Sequence, residues 1–321
     1  MIENLDLMKG ARVAVEICMG TKPDEEVLIV TDTSKLNIGY AFAMVAKSIG
    51  AETSVAIMTP RKMHGNEPPN SIGEAMKGAD VILMPTSTSL SHTNAREEAS
   101  KKGARIASMP TITEEIIKGP LMADYARIKE KTLKLTDILT DAEEAVIITK
   151  LGTNLKLNLK NRKGLADTGI FHNKGDFGNL PAGEAYIPPV ENYGDGDLVI
   201  DGAMAGIGIL SKPIKISFKN GRIINIEGGY EAEKLRKILE NSDENSWKIA
   251  ELGIGTNDEA YLMGNVLLDE KVYGTVHVAI GDNIHMGGFQ KSSVHLDGII
   301  KNPTLILDGK TIIESGVQKN L

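Results

Sequence analysis

The strongest constraint on the fold is a change of rhythm partway along the chain. Leu5, Met8, Ala11, Val15 and Cys18 recur at helical spacing, so residues 3–19 read as an amphipathic helix. Glu26–Val30 reads as a buried strand, Ile38–Ser48 as a helix and Glu52–Met58 as a second strand. After a loop from Pro60 to Asn70 come a short helix at Ile72–Lys77, a strand at Asp80–Pro85, a helix at Ala95–Lys102 and a strand at Ala104–Ser108. Thr113–Lys118 and Leu121–Leu139 read as helices. Strands alternating with helices at this spacing imply right-handed crossovers and a parallel sheet covered on both faces. The first half is expected to be a doubly wound α/β domain, with ligands beyond the carboxyl ends of its strands.

Past about residue 145 the period becomes two. KLNLKN, IKISFKNGRIINIE and TLILDGKTIIE alternate apolar with polar residues, and turn signals stand at Asn161 to Gly164, Asn220-Gly221 and Asp308-Gly309. The second half is expected to be mainly antiparallel β, an α+β domain with one helix at Glu231–Leu239. The boundary is placed near Glu144, giving an α/β domain over 1–144 and a β-rich, metal-binding domain over 145–321.

Composition narrows the function classes. The formal net charge is −7 and no basic stripe is visible, so a nucleic-acid partner is not expected. Cys18 is the only cysteine, which rules out a disulfide framework or a cysteine-based zinc knuckle within one chain. The start, MIENLDLMKG, lacks the order of a signal peptide, and no apolar run has the length to span a bilayer; a cytoplasmic location without a membrane partner is expected. No GxGxxG, Walker A, HExxH, GxSxG or CxxC pattern occurs. The glycines of GAMAGIG have the wrong spacing for a dinucleotide fingerprint.

The chemistry concentrates near the end of the chain. In YGTVHVAIG, strand alternation puts Thr275, His277 and Ala279 on one face and Val276, Val278 and Ile280 on the other. In SSVHLDG, a strand would send His295 and Asp297 from the same face, with Cα atoms about 7 Å apart. That spacing suits convergence on a metal, and a further histidine from an adjacent strand would complete a 2-His-1-carboxylate set. The same residues also fit a plainer role, with Asp297 capping a turn before Gly298 and orienting His295. Glu251, among apolar and small residues in KIAELGIGTN, must be paired, protonated or metal-bound if it is buried. Glu184 in NLPAGEAYIPP is either a ligand or an exposed loop carboxylate.

NLPAGEAYIPP, AELGIGTN, LLDEKVYGTVHVAIG and SSVHLDG occur in that order, and SLSHTNAREEASKKGARIASMP stands in the first half. Together they resemble the M29 metallopeptidases, the aminopeptidase T group. By motif, the resemblance implies that Glu184, Glu251, His277, His295 and Asp297 hold two divalent ions, zinc, cobalt or manganese, in the C-terminal domain. It implies a homodimeric aminopeptidase that removes N-terminal residues from peptides by metal-activated water, with Glu184 and Glu251 in the catalytic roles.

Two features depart from that family. Its tyrosine seven residues after the strand histidine is Ile284 here, followed by His285; either His285 substitutes at the metal or substrate or the second metal site is altered. The chain is also shorter than the characterised peptidases. It is similar, more distantly, to 2,5-dihydroxypyridine 5,6-dioxygenase, a ring-cleaving enzyme with mononuclear Fe(II); that resemblance implies His277, His295 and Asp297 as the iron ligands. Other candidates are open between two roles. His92 and Thr93 either contact substrate or cap the next helix, and His172, Lys174 and Asn179 either line the site or belong to a loop. Glu270 is either a partner for His277 or part of a solvated turn, and His64 has no assigned role.

Overall fold

The computed structural model describes residues 3–319. The chain divides into two compact units, Met1–Lys129 with Asp167–Ala182, and Glu130–Ala166 with Gly183–Leu321. The sequence reading put the boundary near Glu144; the division falls instead inside one helix. That helix runs on because Leu135 and Leu139 are already buried in the core of the second unit.

In the first unit, β1 (Glu26–Asp32), β2 (Glu52–Met58), β3 (Val81–Thr86) and β4 (Arg105–Pro110) form a parallel sheet in the order β2-β1-β3-β4. The helices are α1 (Glu3–Arg12), α2 (Leu36–Ser48), α3 (Asn70–Met76), α4 (Asn94–Lys101) and α5 (Glu114–Lys118). Leu28, Val30, Ile82, Met84 and Ile106 pack with Ile72, Met76, Ala95 and Ala99, which buries one sheet face under α3 and α4. Val27, Ile29, Val81 and Leu83 are equally buried, and α2 packs on β1, β2 and β3. This is the doubly wound α/β arrangement the alternating pattern predicts.

Two details differ from the periodicity. Residues 3–19 are α1 followed by a π-helical stretch at Val13–Cys18, and Pro120–Met122 forms a 3-10 turn before α6 (Tyr125–Asp141). Asp124 starts α6 by accepting from Ala126 and Arg127 N–H at 3.0 and 3.1 Å.

The second unit is antiparallel. Its strands are β5 (Glu144–Ile148), β6 (Asn154–Asn158), β7 (Leu165–Asp167), β9 (Glu184–Ile187), β10 (Asp195–Ile200), β11 (Ala203–Met204) and β12 (Gly208–Ile209). They continue with β13 (Ile214–Lys219), β14 (Arg222–Glu227), β15 (Ile249–Gly255), β16 (Val276–Gly281), β17 (His295–Ile300), β18 (Thr304–Leu307), β19 (Lys310–Glu314) and β20 (Val317–Gln318). The strand between β7 and β9, β8 (Phe177–Asn179), extends the first unit's sheet by pairing parallel with β4. Three residues are too short a run to show a period in the sequence.

One sheet has the order β14-β13-β10-β6-β5-β18-β19-β20 and the other β12-β11-β17-β16-β15-β9-β7. Ile147, Leu155, Leu198, Ile216 and Leu305 of the first meet Ile187, Leu252, Ile254, Val278 and Ile300 of the second in a common core. Helix α7 (Tyr230–Glu240) adds Ala232, Leu235 and Leu239 to that core, as its pattern predicts. A short helix, α8 (Val266–Asp269), precedes β16.

Asn220-Gly221 and Asp308-Gly309 turn the hairpins β13/β14 and β18/β19 with positive φ at both residues, as two-residue turns of this type require. Asn161 to Gly164 does not make a hairpin. Both edges of β6 are taken, by β5 and β10, so the run after Gly164 joins the other sheet. Among the described residues no helix is long and apolar enough to cross a membrane.

The shared core is expected to carry the stability of the second unit. Leu252 is fully buried in it, one residue from Glu251 but on the opposite face of β15. Leu252→Ala is expected to cost about 2–5 kcal/mol in urea denaturation. A cost near zero would show that the two sheets do not depend on this contact.

Candidate metal centre

Period-two alternation sorts the strands of the seven-stranded sheet into two faces. Ala185, Ile187, Leu252, Ile254, Val276, Val278, Ile280, Leu296 and Ile300 turn into the shared core. The intervening residues, Glu184, Glu251, Gly253, His277, Ala279, His295 and Asp297, therefore share the other face. Register brings them together across four strands: Glu251 pairs with Ala279, and Ala279 with Asp297. Gly253 pairs with His277, Gly255 with Glu184, and Gly281 with His295.

Small residues create the room between these donors. The imidazole of His277 lies over Gly253, where a Cβ would stand 2.0 Å from Nε2. Ala279 stands between the two acids Glu251 and Asp297 and occupies little of the space they converge on. The period-two pattern places the histidines and acids on one face, but the glycine opposite His277 emerges only from the register.

His277, Glu184, Glu251 and Asp297 are buried, while about a third of the His295 side chain, 31%, remains exposed. His277 Nε2 stands 3.3 Å from Glu184 Oε2 and 3.3 Å from Glu251 Oε1. His295 Nε2 stands 3.1 Å from Glu251 Oε2 and 3.4 Å from Asp297 Oδ1. Two donor groups result, Glu184–Glu251–His277 and Glu251–His295–Asp297, each with ligand atoms within 4.8 Å of one another. Glu251 belongs to both, one oxygen turned to each.

The donors fit a divalent ion on an observation internal to the site. Glu184 Oε2, His277 Nδ1 and Asp297 Oδ1 are buried with no hydrogen-bond partner. A native interior rarely leaves such atoms orphaned. Two of the three are carboxylate oxygens within 3.5 Å of an imidazole nitrogen yet not aligned to accept from it. Imidazole nitrogen and carboxylate oxygen are the donors that zinc, manganese, cobalt and iron accept. The orientation of His295 supports the same use: its Nδ1–H donates to the Asp282 carbonyl at 2.7 Å, leaving Nε2 free to ligate.

The sequence reading did not single out Lys271. It lies in the turn after α8 with 1% of its surface exposed, and its Nζ donates to Glu184 Oε1 at 2.5 Å and Glu270 Oε1 at 2.6 Å. Glu270 is thus a partner of Lys271. Lysine before a strand ordinarily reads as a solvated residue, so only the fold reveals this one.

The remaining candidates belong to neither donor group. Thr93 caps α4, its Oγ1 accepting from Arg96 N–H at 3.3 Å, and His92 beside it is exposed. Both belong to the first unit, as do His172, Lys174 and Asn179. His172 Nε2 contacts the Ile17 carbonyl at 2.8 Å. His285 is exposed on the Ile284–Met286 turn and belongs to neither donor group. His64 Nδ1 accepts from Ser89 N–H at 3.2 Å.

Electrostatics couples these groups. Burial opposes charge on His277, but Glu184 and Glu251 outweigh it and raise its pKa well above the ordinary value. Burial likewise opposes charge on His295, which Asp297 and Glu251 raise. Burial pushes Glu184 and Asp297 up; Lys271 and His277 bring Glu184 below the ordinary carboxylate range, and His295 does so for Asp297. Glu270 is raised to about 8 by burial, against Lys271 and with the charges of Glu184 and Asp297.

The raised imidazoles stabilise the metal-free fold fully below their unfolded value of about 6.5, and this contribution is lost as pH rises through the folded value. The lowered carboxylates of Glu184 and Asp297 contribute above their unfolded values, and this is lost as pH falls through the folded ones. Ligation requires neutral imidazole, so metal uptake at neutral pH is expected to release protons and to strengthen as pH rises. Calorimetric titration in two buffers of different ionisation heat measures the release; a heat independent of buffer would contradict it. Gly253→Ala, which drives a methyl into the His277 ring, is expected to weaken metal affinity about 10-fold or more in the same titration. Unchanged affinity would show that the placement of the His277 ring beside Glu251 does not bear on metal binding.

Comparison with known proteins reverses the order of the two resemblances read from the sequence. Residues 6–320 match the family model NicX, 2,5-dihydroxypyridine 5,6-dioxygenase. The chain is 25% identical over 260 residues to 2,5-dihydroxypyridine 5,6-dioxygenase of Pseudomonas putida, covering 75% of this chain and 71% of that relative. It is 24% identical over 180 residues to aminopeptidase AmpS of Bacillus subtilis, covering 50% of this chain and 44% of that relative. Among solved structures, the Pseudomonas putida dioxygenase superposes with a TM-score of 0.83 at 19% identity, over 99% of this chain and 98% of that one. AmpT from Thermus thermophilus superposes with a TM-score of 0.75 at 15% identity, over 99% of this chain and 100% of that one. The M29-type fold expected from the motifs is present, yet the family model that spans the chain, and the longer of the two sequence matches, are those of the other relative. The chain belongs to the NicX family, that of 2,5-dihydroxypyridine 5,6-dioxygenase.

Proposed function

We propose that this chain is a ring-opening dioxygenase that acts on a dihydroxylated nitrogen heteroaromatic of the 2,5-dihydroxypyridine class with iron(II). The family match over residues 6–320 supports the reaction class. The observation that carries the reading to this site is the Glu251–His295–Asp297 group, one imidazole and two carboxylates on one sheet face. These three residues would hold a divalent ion through one nitrogen and two carboxylate donors, a set suited to iron or manganese. It differs from the His277–His295–Asp297 set that the sequence resemblance implied, because Glu251 stands between the two histidines.

Iron(II), when bound, supplies the redox chemistry that lets dioxygen react with an electron-rich ring. The residues do the rest. Asp297 and Glu251 supply the negative charge that retains a divalent ion. The Asp282 carbonyl holds His295 in the tautomer whose Nε2 ligates. His277 engages the other oxygen of Glu251 and so orients it. The partly exposed His295 marks the side of the site open to a small molecule.

A second reading is hydrolysis of an N-terminal peptide bond by metal-activated water, and one observation favours it. Glu251 offers one oxygen to each donor group, as a carboxylate bridging two ions does. One experiment separates the two. Metal-free protein reconstituted anaerobically with iron(II) is given 2,5-dihydroxypyridine and oxygen; protein reconstituted with zinc, cobalt or manganese is given aminoacyl amides. Oxygen uptake matched by loss of the ring, without amide hydrolysis, is expected. Amide hydrolysis without oxygen uptake would overturn the dioxygenase reading in favour of the other. His295→Ala and Asp297→Ala are each expected to abolish metal retention and activity with the circular-dichroism spectrum kept, and unchanged metal content would displace the site.

A further inference from the structure

Lys271 reaches the metal centre from outside the strands that present the ligands, and it cannot itself be counted among them. Its backbone is pinned on both sides: Lys271 N–H donates to the Leu268 carbonyl at 2.9 Å, and its own carbonyl accepts from Asn257 N–H at 2.9 Å. Its side chain is almost entirely buried, a state in which an ammonium persists only with anionic partners. Glu184 at 2.5 Å is such a partner, and Glu270 lies against the same nitrogen at 2.6 Å.

Glu184 belongs to only one of the two donor groups, the one with Glu251 and His277. One of its oxygens is taken by Lys271 and the other is the buried orphan beside His277. A divalent ion in that group would share Glu184 with an ammonium already bound to it, and the two cations would repel at short range in a site shielded from solvent. Among the described residues the ion pairs of Glu251 and Asp297 are with imidazoles, and the Lys271 charge acts on Asp297 only after burial, His295 and His277.

We infer that Lys271 serves as a resident cation for the Glu184 group and holds the chain to one divalent ion, bound at Glu251, His295 and Asp297. Lys271 is then a positioning residue that sets stoichiometry: it neutralises Glu184 where a second ion would otherwise do so. The inference rests on the reading of this cluster as a metal centre, and it is independent of which reaction the centre performs.

The test counts ions. Metal-free full-length protein is equilibrated with manganese(II), and bound metal is measured by dialysis and by electron paramagnetic resonance, which separates an isolated ion from a coupled pair. The native chain is expected to bind one ion with an isolated-ion spectrum. Lys271→Met, which keeps the unbranched apolar stem and removes the charged end, is expected to bind two with the signature of a coupled pair. A native chain that binds two ions, or a folded Lys271→Met chain that still binds one, would overturn the inference.

Lys271→Met leaves two acids without their cation and could lose its fold, so Glu184→Gln provides the second arm. With Lys271 in place, Glu184→Gln is expected to retain one ion, because Glu184 is not among that ion's ligands. Loss of the ion in Glu184→Gln would place it in the other group and overturn the inference while the metal reading stood. A native chain that takes up no manganese, zinc or iron would overturn both.

Discussion

The structure of the second unit is organised around a repulsion. Glu184, Glu251 and Asp297 are buried on one face of a single sheet. Two like charges about 4 Å apart cost about 4 kcal/mol even at an effective dielectric near 20. Three such carboxylates cannot share a face without cations among them. The imidazoles, Lys271 and the metal the site fits are what make this face possible. The rest of the unit can be read as the means of keeping these groups in place despite that repulsion.

Strand alternation supplies those means. The face opposite the site is apolar without interruption in β15, β16 and β17, and it packs against a second sheet. Slipping any of these strands by one residue would exchange the two faces, putting His277 or Asp297 into the core and Val278 or Leu296 at the site. The register that gathers the donors is therefore the register that builds the core. Gly253 and Ala279 then decide how close the donors come, since a larger residue at either would fill the space between His277, Glu251 and Asp297.

This division explains what could be read from the sequence. The doubly wound half followed from strand and helix periods, and two hairpins followed from Asn220-Gly221 and Asp308-Gly309, because each is a local signal. Alternation alone put His295 and Asp297 on one face of their strand and His277 opposite Val276 and Val278 on its own; the register joins the two. Non-local facts did not follow. The strand Phe177–Asn179 joins a sheet built more than sixty residues earlier, and the run after Gly164 leaves β6 because both edges of that strand are already paired. The five donors came from motif resemblance, and the structure brings all five together. Lys271 was missed because a lysine beside a glutamate before a strand looks the same whether it meets water or, as here, Glu184 from a strand 87 residues away in sequence.

The same face bears on the choice between the two reaction classes of its relatives. Hydrolysis by a metal pair needs a second ion close enough to share a carboxylate with the first, so that one polarises a carbonyl while the other activates water. Ring opening with dioxygen needs one redox-active ion with open positions and a ligand set that does not crowd them. Glu251, with an oxygen toward each donor group, keeps the geometry for the first. Lys271 on Glu184 supplies by protein charge what the second ion would supply, which leaves the geometry for the second. The fold is common to both relatives, and the one buried ammonium, set against Glu184, bears on how many ions this face can hold rather than on which donors it presents.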